Sequence, residues 1–101
     1  MKPVLFRIEA RLELEEAVAY YESRRVGLGA DFREKAEAAV GRISETPERW
    51  SPLTNDTRRF LLRRFPYSIV YTMLPTHILI IAVAHQKRRP GYWSGRIARG
   101  G

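Results

Sequence analysis

The hydrophobic period of this chain changes once, and that change divides it into a helical first half and an extended second half. Through residues 10–43 the apolar residues recur every three or four positions, whereas from residue 58 to 84 they alternate or run unbroken. On the first helical stretch, Leu14, Ala17, Val18 and Tyr21 form one stripe, with Glu13, Glu15, Glu16 and Glu22 elsewhere on its surface. Gly27-Leu28-Gly29 breaks it after Arg24-Arg25, two cations suited to a helix C-terminus. A second helix carries Phe32, Ala36, Ala39, Val40 and Ile43 on one stripe and is stopped by Pro47. Two such helices joined by a glycine-rich turn predict an antiparallel hairpin. Ahead of them, residues 3–8 read as a short strand with Val4, Phe6 and Ile8 on one face.

Residues 50–56 read as loop, with Pro52, Asn55 and Asp56 as turn formers. Residues 58–65 then read as a strand, with Phe60 and Leu62 facing one way and Arg59, Leu61 and Arg63 the other. Pro66 marks a tight connection. In the next strand Tyr67, Ile69, Tyr71 and Met73 alternate with Ser68, Val70 and Thr72. Leu74-Pro75-Thr76 turns the chain into residues 77–84, which are apolar on both faces and so central in a sheet. Strands this close in sequence predict an antiparallel meander. A tail from Pro90 has room for one short helix anchored by Ile97, and Gly100-Gly101 would fray. The expected architecture is α+β, in the order β-α-α-β-β-β with a short C-terminal helix. The helical hairpin covers one face of a mainly antiparallel sheet and gives a one-sided core, while the other face carries arginines.

At 101 residues, a single domain spanning residues 1–101 is expected. There is no cysteine, which excludes disulfides and thiolate chemistry and suits a reducing cytoplasm. The N-terminal apolar run is too short for a secretory signal, and residues 78–84 fall far below the ~20 residues of a membrane span. With two histidines and no acid near either, neither a metal site nor a cofactor is expected.

Charge follows the same division as period. Residues 1–56 hold nine basic residues against eleven acidic, a net of −2; residues 57–101 hold nine basic residues and no acid. A field of that sign attracts phosphate or acidic protein. Arg58, Arg59, Arg63 and Arg64 would divide between the two faces of a strand, either aimed at a partner or blunting an uncovered sheet. The segment from His85 to Trp93 follows the most buried strand, where sites are commonly built. There His85 could move a proton, Arg88 or Arg89 could neutralise a developing phosphorane charge, and Tyr92 could stack on a base or shuttle a proton. The structural alternative is that His85 bonds within the fold and that Tyr92 and Trp93 pin the tail to the sheet. Tyr20-Tyr21 reads as core, and Trp50 as a plug between helices and sheet.

Taken in order, these segments resemble the RelE/ParE superfamily of toxins from type II toxin–antitoxin systems, the plasmid-stabilisation proteins. The resemblance runs from residues 17–21, Gly27-Leu28-Gly29 and Phe32, through Pro47 and Trp50-Ser51-Pro52, to Arg59 and Phe65-Pro66-Tyr67-Ser68-Ile69-Val70-Tyr71. It ends with residues 82–85, Arg89-Pro90-Gly91-Tyr92-Trp93 and Arg96. It implies a toxin held inactive by an acidic antitoxin that wraps the helical hairpin and the sheet. RelE-like members bind the ribosome and cut mRNA; ParE-like members act on DNA gyrase without cutting RNA. The RelE-type pattern has an arginine directly after the tyrosine that opens the third strand, and a basic residue just past the last strand. Here those positions are Ser68 and Gln86. The resemblance is therefore closer to the ParE-like branch, and a cytoplasmic gyrase inhibitor is expected. The target-binding candidates are Arg59, Arg63, Arg64, Tyr67, Lys87, Trp93 and Arg96. The alternative is a metal-independent endoribonuclease (an mRNA interferase) using His85, Arg88, Arg89 and Tyr92. A non-toxic basic nucleic-acid-binding domain is a second alternative.

Overall fold

The helical stripes and the alternating strands meet face to face in the computed structural model, which describes residues 2–98. The elements are β1 (Val4–Phe6), α1 (Ile8–Arg24), α2 (Leu28–Glu45), β2 (Ser51–Pro52), β3 (Arg58–Leu61), β4 (Tyr67–Met73), β5 (Ile78–His85) and α3 (Ser94–Ala98). This is the α+β arrangement the period change predicts. Ala10, Leu14 and Ala17 of α1 and Phe32, Ala36, Ala39 and Ile43 of α2 are at most 3% exposed. They pack on Ile69 and Tyr71 of β4 and on Ile78, Ile80 and Val83 of β5. Around Phe32 the core is aromatic, with Tyr21, Phe65 and Tyr67 rings 5.0 to 5.3 Å from it.

The turn between the helices is set by one carboxylate and two glycines. Gly27 precedes α2 at φ +90°, in the left-handed region that glycine enters without steric cost. Glu22 of α1 accepts the Gly27 and Gly29 N–H groups, each at 3.0 Å, and so satisfies two donors at the start of α2. A Cβ at Gly29 would lie 2.6 Å from the Val18 carbonyl oxygen, so only glycine lets the helices approach this closely.

The five strands run in the order β1-β5-β4-β3-β2. β3, β4 and β5 form the expected antiparallel meander, and β1 pairs with β5 in parallel, from Val4 opposite Ile78 to Phe6 opposite Ile80. β5 therefore lies inside the sheet, and its apolar residues are covered on both faces, Ile78, Ile80 and Val83 by the hairpin and Ile81, Ala82 and Ala84 by Trp93. Its register against β4 slips by one residue, from Val70 opposite Ala82 to Tyr71 opposite Ile80. This bulge turns both Ile81 and Ala82 to the face away from the hairpin, where they pack with Val70.

Five expectations are corrected. Ile8 does not extend β1: it opens α1 and is 77% exposed, because the Arg7 N–H closes the ladder on the Ile80 carbonyl. The loop after Trp50 contains β2, a two-residue edge strand on β3 in which Pro52 lacks only a donor that an edge position does not need. β3 stops at Leu61, so Arg63 and Arg64 lie in a turn. The cause is the Phe65-Pro66 reversal: Leu62 and Phe65 are buried and Leu62 N–H donates to the Tyr67 carbonyl, leaving the two arginines outside. Tyr20 is 53% exposed, because only Tyr21 of that pair lies on the buried stripe. Finally, the core is not one-sided. The tail after Pro90 folds back under the sheet, and Trp93, with Tyr92 and Ile97, covers Val70, Ile81, Ala82 and Ala84. Trp50 does sit at the seam between α2 and the sheet, 4.6 Å from Phe60 and under the Arg42 guanidinium. The expected fraying of Gly100-Gly101 concerns positions outside the described residues.

Candidate target-binding cleft

The returning tail and the free part of the second sheet face enclose a cleft of about 370 Å³. Its floor comes from alternation along three strands: Arg59 and Leu61 of β3, Ser68 and Val70 of β4, and Ala84 of β5. Its wall is His85, Gln86, Arg88, Arg89 and the segment from Pro90 to Trp93. The arginines of β3 divide between the faces as a strand requires. Arg59 enters this cleft, whereas Arg58 turns the other way and donates to the Trp50 carbonyl at 2.7 Å. Among the described residues no carboxylate pairs with Arg59, Arg88 or Arg89, and the Arg59 Nε is buried without a hydrogen-bond partner. Anionic groups entering the cleft would meet unneutralised guanidinium.

His85 ends β5 with its ring edge-on to Tyr67, 5.0 Å between centroids. Its Nδ1 accepts the Lys87 N–H at 3.0 Å, so the neutral ring carries its proton on Nε2. Tyr92 donates its hydroxyl to Glu13 Oε2 at 2.7 Å. Burial first, and then this bond, hold the phenol far above its ordinary value, so it stays protonated at any physiological pH. The Arg88 guanidinium lies over the Tyr92 ring, 3.9 Å from its centroid, and the Arg96 guanidinium lies 5.2 Å from it. Arg96 is held by Glu13 through both nitrogens, at 2.9 and 3.0 Å, and its own titration is pushed further up by that bond.

Of the residues singled out from the sequence, His85, Arg88, Arg89, Tyr92, Arg59 and Trp93 come together around this cleft. Lys87 is exposed beside it. Arg63 and Arg64 stand in the turn after β3, Arg64 reaching Asp31 of α2 at 3.8 Å. Tyr67 points to the hairpin side, where burial raises its phenol. Arg96 lies beneath the tail, its side chain only 15% exposed. Glu13 was not singled out, yet the signal is in the spacing. It lies three residues after Ala10 and four before Ala17, on the flank of the buried stripe, and its side chain is only 12% exposed. A carboxylate placed there requires partners. Among the described residues there is no group of three or more potential metal ligands, and no helix is long and apolar enough to cross a membrane.

The profile described as ParE toxin of type II toxin–antitoxin system, parDE, matches residues 4–90. The chain belongs to the ParE toxin family. Among solved structures it is similar to one described as a chromosomal ParDE TA system from P. aeruginosa, with a TM-score of 0.72 at 14% identity, over 84% of this chain and 96% of that chain. At that identity the likeness concerns the fold. No curated protein matches the sequence significantly.

Proposed function

We propose that this chain inhibits DNA gyrase as a protein ligand and is neutralised by an acidic antitoxin. One observation carries the choice between targets. At the two positions where the RelE-type pattern has cations, the cleft presents the hydroxyl of Ser68, on a residue 6% exposed, and the amide of Gln86. Two further features point the same way. The Tyr92 hydroxyl is committed to Glu13, which counts against a proton relay through that phenol. Arg59, Arg88 and Arg89, with the half-buried Tyr92 ring among them, make the mixture of guanidinium and aromatic surface that protein interfaces favour. The ribonuclease reading keeps His85, Arg88, Arg89 and Tyr92 as its catalytic set, and the cleft that gathers them is its support.

The test is paired thymidine and leucine incorporation after tightly induced expression, together with DNA supercoiling by purified gyrase. Thymidine uptake is expected to collapse first, and purified toxin to block supercoiling while mRNA stays intact. Leucine uptake collapsing first, with cleaved mRNA, would reverse the assignment in favour of the ribosome.

A further inference from the structure

A charged side chain on α1 organises the far end of the molecule. β1 is too short to cover β5 beyond Ile80, so past that point the β1-side edge of β5 has no strand partner. Glu13 takes the place of the missing strand: its Oε1 accepts the Val83 N–H at 3.0 Å. Arg96 completes the substitution by donating to the Ile81 carbonyl at 3.0 Å while pairing with Glu13. The remaining Glu13 oxygen accepts the Tyr92 hydroxyl, and Tyr92 in turn carries the Arg88 guanidinium on its ring. One nearly buried carboxylate is thus linked, through a single aromatic ring, to an exposed cation at the mouth of the cleft.

We infer that Glu13 is a positioning residue: through Tyr92 it fixes the guanidinium of Arg88, one of the cations through which the toxin engages its target. The inference rests on the cleft being the target-binding surface, whichever target that is. An arginine side chain free in solvent spreads its charge over many rotamers, and fixing it beforehand removes that entropic cost at binding. Residues 57–101 contain no acid, so the tail can obtain a carboxylate only from the other half of the chain.

The experiment is a double-mutant cycle of Glu13→Gln and Arg88→Ala, read on the toxin level needed to arrest growth of an expressing host. Each single change is expected to raise that level about tenfold, the loss of one strong interface contact. The double variant is expected to be no worse than Arg88→Ala alone, because Glu13 acts through Arg88. Losses that multiply, or an Arg88→Ala variant as potent as the parent, overturn the inference. A second readout does not require toxicity. In the folded protein the Arg88 side-chain resonances carry the ring-current shift of Tyr92 and lose it in Glu13→Gln. Retention of the shift overturns the inference even if the parent chain arrests nothing. Should Glu13→Gln not fold, Tyr92→Phe removes one hydroxyl, keeps the ring volume and is read by the same two measurements. Growth arrest without gyrase inhibition would sink the gyrase assignment and leave this cycle intact.

Discussion

Two tyrosines show how much the surroundings of a residue decide its chemistry. Tyr71 has no exposed surface, and its hydroxyl donates to the Pro47 carbonyl at the end of the helical hairpin. Burial pushes its phenol up from 10.0 to about 12. A folded-state value above the unfolded one means that the stabilisation is complete below pH 10 and is lost as pH rises towards 12. The difference corresponds to about 3 kcal/mol, a large share of what a chain this size holds in reserve. Tyr92 shifts in the same direction and steepens the loss. Urea denaturation at a series of alkaline pH values should therefore show stability falling through this window, and Tyr71→Phe should flatten the slope. A slope equal to that of the parent would place the alkaline loss elsewhere. Both tyrosines were visible in the sequence, Tyr71 by strand alternation and Tyr92 by its basic neighbours. Their partners were not. Pro47 and Glu13 lie 24 and 79 residues away, and a chain read along its length carries no record of which distant carbonyl or carboxylate a hydroxyl meets.

The elements themselves were legible where one face alone is buried. The stripes of α1 and α2 could be read because the hairpin has a wet side, so apolar and charged residues sort by spacing. Strand ends were harder. Residues 58–65 read as one strand, yet β3 stops at Leu61, because buried Leu62 and Phe65 hold the chain in a reversal that the Leu62 N–H closes on the Tyr67 carbonyl. The bulge in β5 was hidden for a related reason: where both faces are apolar, a slip that moves Ile81 to the other face changes no pattern. The Gly27-Leu28-Gly29 turn was the clearest of the element signals, and it supports a quantitative expectation. Gly29→Ala places a methyl against the Val18 carbonyl and the Glu22 side chain, at 2.6 and 2.9 Å. The helices must part or Glu22 must release its two N–H groups, at a cost of about 1–3 kcal/mol. Ala at Gly41, whose Cβ would meet nothing within 4 Å, should instead stabilise α2 by about 0.5–1 kcal/mol. Thermal melts of the two variants moving in the same direction would refute this account of the turn.

At the scale of the whole molecule the +9 of residues 57–101 is not one uniform field. Arg96 is neutralised by Glu13, Arg64 leans on Asp31, and Arg58 is turned towards the Trp50 carbonyl. What remains around the cleft is Arg59 in its floor and the exposed Lys87, Arg88 and Arg89 beside it, gathered by the fold from one strand and one loop. The sequence announced the excess of charge but not its concentration, which depends on the tail passing beneath the sheet. An acidic antitoxin approaching this surface would be steered by that local field. At physiological salt such a field reaches about 8 Å. The rate of association should therefore fall roughly tenfold or more from low to high ionic strength, while dissociation changes much less. Lys87→Ala and Arg89→Ala should each slow association at low salt and converge with the parent at high salt, because screening removes the same contribution that the substitution removes. Arg64→Ala, whose charge already has a carboxylate beside it, should leave the rate nearly unchanged. Stopped-flow association with the cognate antitoxin across a salt series separates these variants. A parent rate indifferent to salt would mean that the antitoxin docks through apolar surface instead, away from the cleft.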